Sequence, residues 1–131
     1  MRNALPAATI LTAVLFAGCG RNAENHWKDG DFIVYALGTD FNATKLGYDH
    51  HPGLEGLVNA EVVAAGSSAD LVFVERHRGK SKDVEFYLVP KNTSDGRQPG
   101  MVEGPFSKAE FEKIRVDRRL PKFAWHKRKN G

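Results

Sequence analysis

Val58-Asn59-Ala60-Glu61-Val62-Val63-Ala64-Ala65-Gly66-Ser67-Ser68-Ala69-Asp70-Leu71-Val72-Phe73-Val74-Glu75 is the stretch on which the fold of this chain turns. Residues 58–65 and 71–75 are apolar, β-favouring runs, divided by the polar residues 66–70. Short apolar runs bounded by Gly, Ser and Asp predict the two strands of an antiparallel hairpin. Downstream, Val84-Glu85-Phe86-Tyr87-Leu88-Val89 has the same character and stops at Pro90, so another strand is expected there. Upstream, Phe32-Ile33-Val34-Tyr35-Ala36-Leu37 lies between Asp29-Gly30 and Gly38. It is apolar at odd and even positions alike, which predicts a strand buried on both faces. A weaker strand is expected over residues 43–48, ahead of the breakers Asp49-His50-His51-Pro52-Gly53. Residues 91–100 carry Asn, Thr, Ser, Asp, Gly and Pro and read as irregular. The simplest topology is a meander of four to five antiparallel strands.

The period changes after Pro105. Ser107-Lys108-Ala109-Glu110 fits a capping box, in which the Ser107 hydroxyl accepts from the Glu110 amide and the Glu110 carboxylate accepts from the Ser107 amide. Phe106 and Phe111 flank it as a hydrophobic staple. Glu110 and Glu112 near the start, with Arg115, Arg118 and Arg119 near the end, complement the helix dipole. A helix from Ser107 or Lys108 to about Arg119 follows, with Phe111 and Ile114 on its apolar face and Pro121 ending it. The expected fold class is α+β: a small antiparallel sheet of four to five strands with one C-terminal amphipathic helix packed on it.

The amino-terminal end has a different character. Met1-Arg2 is a short positive region, residues 4–16 carry no charge, and the small residues Ala17 and Gly18 precede Cys19, the single cysteine. That order predicts a secretory signal with a small-residue cleavage site. The apolar stretch is shorter than the roughly 20 residues that span a bilayer as a helix. Phe16-Ala17-Gly18-Cys19 also resembles the four-residue box of bacterial lipoproteins. The resemblance implies cleavage before Cys19, a diacylglycerol thioether on its sulfur and acylation of the new amino terminus. Two or more acyl chains anchor stably where one does not. The alternatives are an ordinary signal peptide, or a buried amino-terminal helix with an incidental thiol. The expected organisation is a signal over 1–18, a lipidated tether over 19–26, one α+β domain over 27–121 and a basic tail over 122–131.

Of the 131 residues, 113 remain after residue 18, enough for one domain. With Cys19 acylated the mature chain has no thiol and no disulfide, so its stability rests on a hydrophobic core. Eight Phe, three Tyr and two Trp argue against a disordered chain. Charge is uneven: residues 19–114 hold 11 Lys and Arg against 15 Asp and Glu, a net of −4. Residues 115–131 hold seven Lys and Arg against Asp117 alone, a net of +6. A basic segment on an exported protein suits anionic headgroups or an acidic protein better than nucleic acid. A solvated tail explains it equally well.

Gly104-Pro105-Phe106-Ser107-Lys108-Ala109-Glu110-Phe111, followed by a basic helix closing at Leu120-Pro121, resembles a family of small bacterial lipoproteins and phage proteins that share a domain of unknown function. That family's C-terminal signature is Gly-Pro, then Ser or Thr, Glu-Phe and a Lys/Arg-rich helix. The resemblance runs loosely from Trp27 to Pro121, and residues 92–100 depart from it as a polar insert. It implies the fold and carries no activity.

Candidate chemistry is sparse. Asp49-His50-His51 pairs imidazoles with a carboxylate, as zinc and copper sites do. Neighbouring strand residues point to opposite faces, so both imidazoles reach one ion only if a turn redirects them. Glu75 and Glu85 fall on neighbouring expected strands, and two carboxylates facing each other can divide acid and base roles. His77 lies between Arg76 and Arg78 with no nucleophile in view, and Ser67-Ser68 lie in a turn. No metal, cofactor or catalytic residue is expected, and the chain does not read as an enzyme. The basic loop Arg76-His77-Arg78-Gly79-Lys80-Ser81-Lys82 is the better candidate. Arg76, Arg78, Lys80 and Lys82 sit at a hairpin tip, where recognition residues often lie, although such a tip is often merely solvated.

The expected function is a non-catalytic envelope lipoprotein, held at the membrane by Cys19 and binding a protein partner as an accessory factor or an inhibitor. A small-molecule or metal-binding periplasmic domain is the alternative. Gly20 follows the cysteine. By resemblance to lipoproteins of diderm cells, the absence of Asp there implies the outer membrane, facing the periplasm.

Overall fold

The structure, a computed structural model, describes residues 24–37, 43–79, 83–92 and 98–128. Strands β1 (Glu24–Asp29), β2 (Phe32–Ala36), β3 (Lys45–Asp49) and β4 (Leu54–Val58) form a four-stranded antiparallel sheet in chain order. Strands β5 (Val62–Ser67), β6 (Leu71–His77), β7 (Val84–Pro90), β8 (Glu103–Phe106) and β9 (Trp125–His126) form a second antiparallel sheet, ordered β8-β7-β6-β5-β9. One helix, α1 (Lys108–Asp117), lies between β8 and β9 in sequence. Among the described residues the protein is mainly β with a single helix, a small α+β fold.

The single sheet expected from the sequence is therefore two. The difference arises inside residues 58–65, which are not one strand: β4 ends at Val58 and β5 begins at Val62. The polar Asn59 and Glu61 interrupt the run there, and the chain passes from one sheet to the other. Val58 and Val62 both enter the core between the sheets, which a continuous strand with alternating faces would also permit. Hydrogen bonds fix the crossing instead. The Val62 amide donates to the Thr44 carbonyl at 2.9 Å, and the buried Thr44 hydroxyl donates to the Val62 carbonyl at 2.8 Å. A buried hydroxyl with a partner avoids the desolvation cost of an unpaired one.

Two cores result. Phe32, Val34, Leu46 and Tyr48 of the first sheet meet Val62, Val72, Val74 and Val89 of the second. On the outer face of the second sheet, Leu71, Phe73, Phe86 and Leu88 meet Phe111 of α1 and Leu120. Strict alternation along β6 sends Val72 and Val74 to one core and Leu71 and Phe73 to the other, which explains why residues 71–74 are all apolar.

The helix forms as its sequence predicts. Ser107 Oγ accepts from the Glu110 amide at 3.1 Å, and Glu110 Oε1 accepts from the Ser107 amide at 2.8 Å. Phe106, just before the cap, packs on the same cluster as Phe111. The regular helix ends at Asp117, two residues short of the expected Arg119, which adopts a left-handed backbone with φ of 54°. A positive φ stops helix propagation.

Strand β1 begins at Glu24, so Glu24 and Asn25 of the segment read as a tether pair with Ala36 and Tyr35 of β2. Within the segment read as a basic tail, residues 122–128 form a strap along β5. The Ala124 amide donates to the Ala65 carbonyl at 2.8 Å and the Lys127 amide to the Val63 carbonyl at 2.7 Å. Phe123 packs into the helix-side core and Trp125 into the inter-sheet core. Gly66 makes this close approach feasible. A Cβ there would stand 2.7 Å from the Phe73 ring and 3.2 Å from Phe123 Cα. Gly66→Ala is expected to destabilise the domain by about 1–3 kcal/mol through overpacking, read as a lowered urea midpoint with an unchanged slope.

Each sheet edge carries a feature that hinders pairing with another chain. β1 and the β3–β4 pair contain register shifts, β8 contains Pro105, and β9 has two residues. Bulges, proline and short length are established ways of blunting an edge.

Candidate functional site: an aromatic groove beside the helix

Strand β6, strand β7, helix α1 and the strap enclose an open groove of about 350 Å³. Its floor is Phe73, Phe86, Phe111 and Phe123. Phe86 and Phe111 stack at 4.5 Å between centroids and 8° between planes, and Phe123 lies 5.8 Å from Phe111 at 18°. Phe73, Phe86 and Phe111 are buried, their faces covered by one another and by the surrounding core. The half-buried Phe123 is the floor residue nearest solvent.

Charge surrounds this floor. Arg115 donates to Glu112 Oε1 at 2.7 Å, and that hydrogen bond is the main cause holding the Glu112 carboxyl below its usual range. Glu75 is engaged by His77 Nε2 at 3.0 Å. Lys108, Lys122 and His126 complete the rim. Among the described residues Lys122 has no ion-pair partner. Lys108, Arg115 and Lys122 stand against Glu75 and Glu112, so the Lys, Arg and Glu of the rim sum to +1.

The basic hairpin divides. Lys80 and Lys82 lie outside the described residues, as does Cys19 with the whole segment 1–18. Arg78 is exposed and lies 3.8 Å from Glu85 Oε2. Arg76 is not at the tip: it belongs to β6 and points between the sheets. Its Nε donates to the Ala60 carbonyl at 2.9 Å, and its Nη1 donates to Glu85 Oε1 at 2.9 Å and to Tyr87 Oη at 3.3 Å. Tyr87 donates to the same Glu85 oxygen at 2.8 Å. Burial, then the hydrogen bond to Glu85, push the Tyr87 hydroxyl pKa up. Arg76 is thus committed inside the protein, which removes it from the partner-binding set.

Glu75 and Glu85 do not face each other. The register sets Glu75 opposite Phe86 and Arg76 opposite Glu85, so the two carboxylates lie on opposite faces of the sheet. Glu75 lines the groove, whereas Glu85 points between the sheets.

The histidine turn also separates its side chains. His50 Nε2 meets Glu55 Oε1 at 2.7 Å. His51 Nε2 meets Asp31 Oδ1 at 3.0 Å, while its other ring nitrogen lies 3.5 Å from Asp49 Oδ2. The carboxylates meet opposite nitrogens of one ring, so they cannot share an ion with either. Among the described residues no group of three or more His, Cys, Asp or Glu could hold a metal. The hydrogen bond to Asp31, then the Asp49 charge, raise the His51 pKa above its ordinary 6.5. Its pairing therefore stabilises the turn fully below the unfolded pKa and is lost as pH rises through the folded one. His51→Asn is expected to lower the melting temperature near pH 6 and to leave it unchanged on the alkaline side, in paired thermal melts.

A second, polar hollow of about 470 Å³ lies by Lys91, Glu103 and Arg118. Lys91 there donates to Asp29 Oδ2 at 2.9 Å and to the Ser68 carbonyl at 2.8 Å. Burial works against ionisation of Asp29, but hydrogen bonds from Ser67 and Lys91 outweigh it and hold the carboxyl below its usual range.

The aromatic groove is the site that the sequence reading missed. Its signal was Phe123 and Trp125 within a run otherwise read as a basic tail, since solvated tails rarely carry two bulky aromatics in three residues. Among the described residues no helix is long and apolar enough to cross a membrane. Compared with protein-family models, with curated proteins and with solved structures, the chain matches none.

Proposed function

We propose that the protein is an envelope lipoprotein, tethered through Cys19, whose domain binds a protein partner at the helix-side groove and performs no catalysis. One observation carries the binding reading: an open hollow of about 350 Å³ in which the half-buried Phe123 meets solvent inside a charged rim, on the face that bears α1. Interfaces concentrate their energy in such apolar centres with polar rims.

Affinity capture from detergent-solubilised envelopes tests the reading. A stoichiometric partner held by the wild type and lost with Lys122→Glu supports it, while retention by that variant overturns it. Anchoring has its own test. Cys19→Ser is expected to abolish acyl labelling and move the protein from the membrane fraction to the soluble one. Persistent membrane attachment would sink the lipoprotein reading. The volume of the groove also suits a small ligand, near the lower end of about 300–1,000 Å³ for such pockets. A ligand retained through purification, with no protein captured, would favour that second reading.

A further inference from the structure

We infer that the tether holds the end of the two-sheet stack where β1 begins against an anionic bilayer, so that the helix-bearing flank and its groove face the aqueous side. The inference rests on the tethered reading through Cys19 and adds the orientation of the domain and the side from which a partner reaches the groove.

Topology gathers the relevant surfaces. β1 starts at Glu24, which pairs with Ala36 at the close of β2, and Tyr35 pairs with Lys45 at the start of β3. The second sheet joins at the same end. Thr44 and Val62 exchange two hydrogen bonds, Val62 pairs with Arg76 near the close of β6, and Lys127 Nζ donates to Thr44 Oγ1 at 3.3 Å. The tether entry, the β6–β7 hairpin and the end of the strap therefore share one end. The turns at 29–31, 49–53 and 68–70 share the other, where Lys91 joins Asp29 to the Ser68 carbonyl.

The length of the leash decides which surface reaches the bilayer. Cys19 and Glu24 are five residues apart, at most about 18 Å when fully extended. β6 alone has seven residues, about 20 Å along its axis, so the far end cannot be set down on the bilayer. The helix flank is excluded for a related reason. Glu24 belongs to the first sheet, and α1 lies on the outer face of the second. With sheets about 10 Å apart and a helix about 10 Å across, α1 on the bilayer would lift Glu24 more than about 20 Å above it. Residues 108–122 hold six Lys and Arg against three Asp and Glu, so charge alone would choose this flank. The leash overrules it.

Charge then chooses among the orientations the leash leaves. Consider, among the described residues, the two terminal residues of each strand from β1 to β7, the turns joining them and residues 127–128. The near end holds five Lys and Arg against four Asp and Glu, and the far end two against five. An anionic surface repels the far end, with its net of −3, and spares the near end, with +1. The domain consequently stands on its near end, with Arg78 and Arg128 towards the headgroups.

The test uses the acylated full chain in vesicles of phosphatidylcholine and phosphatidylglycerol that contain a headgroup spin-labelled lipid. Acylation blocks Cys19, so Leu37→Cys, Val116→Cys and Ala69→Cys each provide one thiol for a fluorophore, at the near end, the helix flank and the far end. All three positions are exposed, and unchanged circular dichroism and melting will show that the variants fold. Quenching at position 37 is expected to exceed that at positions 69 and 116 by about threefold or more. Arg78→Glu with Arg128→Glu brings the near end to the charge of the far one and should lower quenching at position 37 by about twofold, as should added salt.

Quenching strongest at position 116 would place the helix flank on the bilayer, and quenching strongest at position 69 the far end; either overturns the inference. So does quenching at position 37 that ignores both the paired variant and the phosphatidylglycerol content. If the protein sediments with the vesicles and no position is quenched above the others, the tether stands and the orientation falls. An unacylated chain that stays in the supernatant removes the tethered reading and the orientation together.

Discussion

Phe111→Ala is expected to cost the domain about 3–5 kcal/mol, the range for deleting a buried aromatic side chain. Phe111 is 2% exposed and is the only buried residue of α1. It stacks on Phe86 and lies 6.0 Å from Phe73 and 5.8 Å from Phe123, so its removal opens a void shared by two strands and the strap. A small domain has only about 5–15 kcal/mol in total, so the loss is a large fraction of it. Chemical denaturation should show the midpoint falling sharply. Phe111→Leu keeps more volume and should fall less. If α1 instead detached while the sheets stayed folded, the denaturation slope would drop with the midpoint and the transition would cease to be two-state. A Phe111→Ala protein as stable as the wild type would show that the helix contributes nothing to the second core.

Arg76→Ala is expected to cost about 2–4 kcal/mol, whereas Arg78→Ala should stay within about 0.5 kcal/mol. Both are arginines of the same basic run and both reach the Glu85 carboxylate, and what differs is their exposure. The Arg76 and Glu85 side chains are 19% and 15% exposed, so truncating Arg76 leaves a poorly solvated carboxylate and an unpaired Ala60 carbonyl. Arg78, with a side chain 66% exposed, gives up a contact at 3.8 Å that water replaces. A paired change, Arg76→Met with Glu85→Gln, removes both charges and should recover much of the loss. Equal stability of the two single variants would show that Arg76 is not committed inside the protein and would restore it to the recognition set.

Much of the architecture is legible in the sequence where local chemistry decides it. The capping box at Ser107 and Glu110 depends on residues three apart, and it forms with both bonds in place. The apolar faces of residues 32–36 and 71–74 also appear as read, because burial on two sides leaves no polar positions. What stayed hidden depends on distant partners. Residues 58–65 look like one strand, and the break at Asn59-Ala60-Glu61 is held by Thr44 and His77, 18 and 16 residues away from their partners. Whether Glu75 faces Glu85 rests on a register that shifts faces with each residue, and composition does not encode it. The groove needed Phe123 folded back onto Phe73, a contact 50 residues apart that Gly66 permits.

The strap has a consequence for the order in which the protein is completed. Phe123 and Trp125 finish the two cores from the far end of the chain, one on each side of the second sheet. A polypeptide delivered amino terminus first, by synthesis or by export, presents both apolar faces incompletely covered until these two residues arrive. Both cores are therefore completed only after residues 123–125 have emerged and docked.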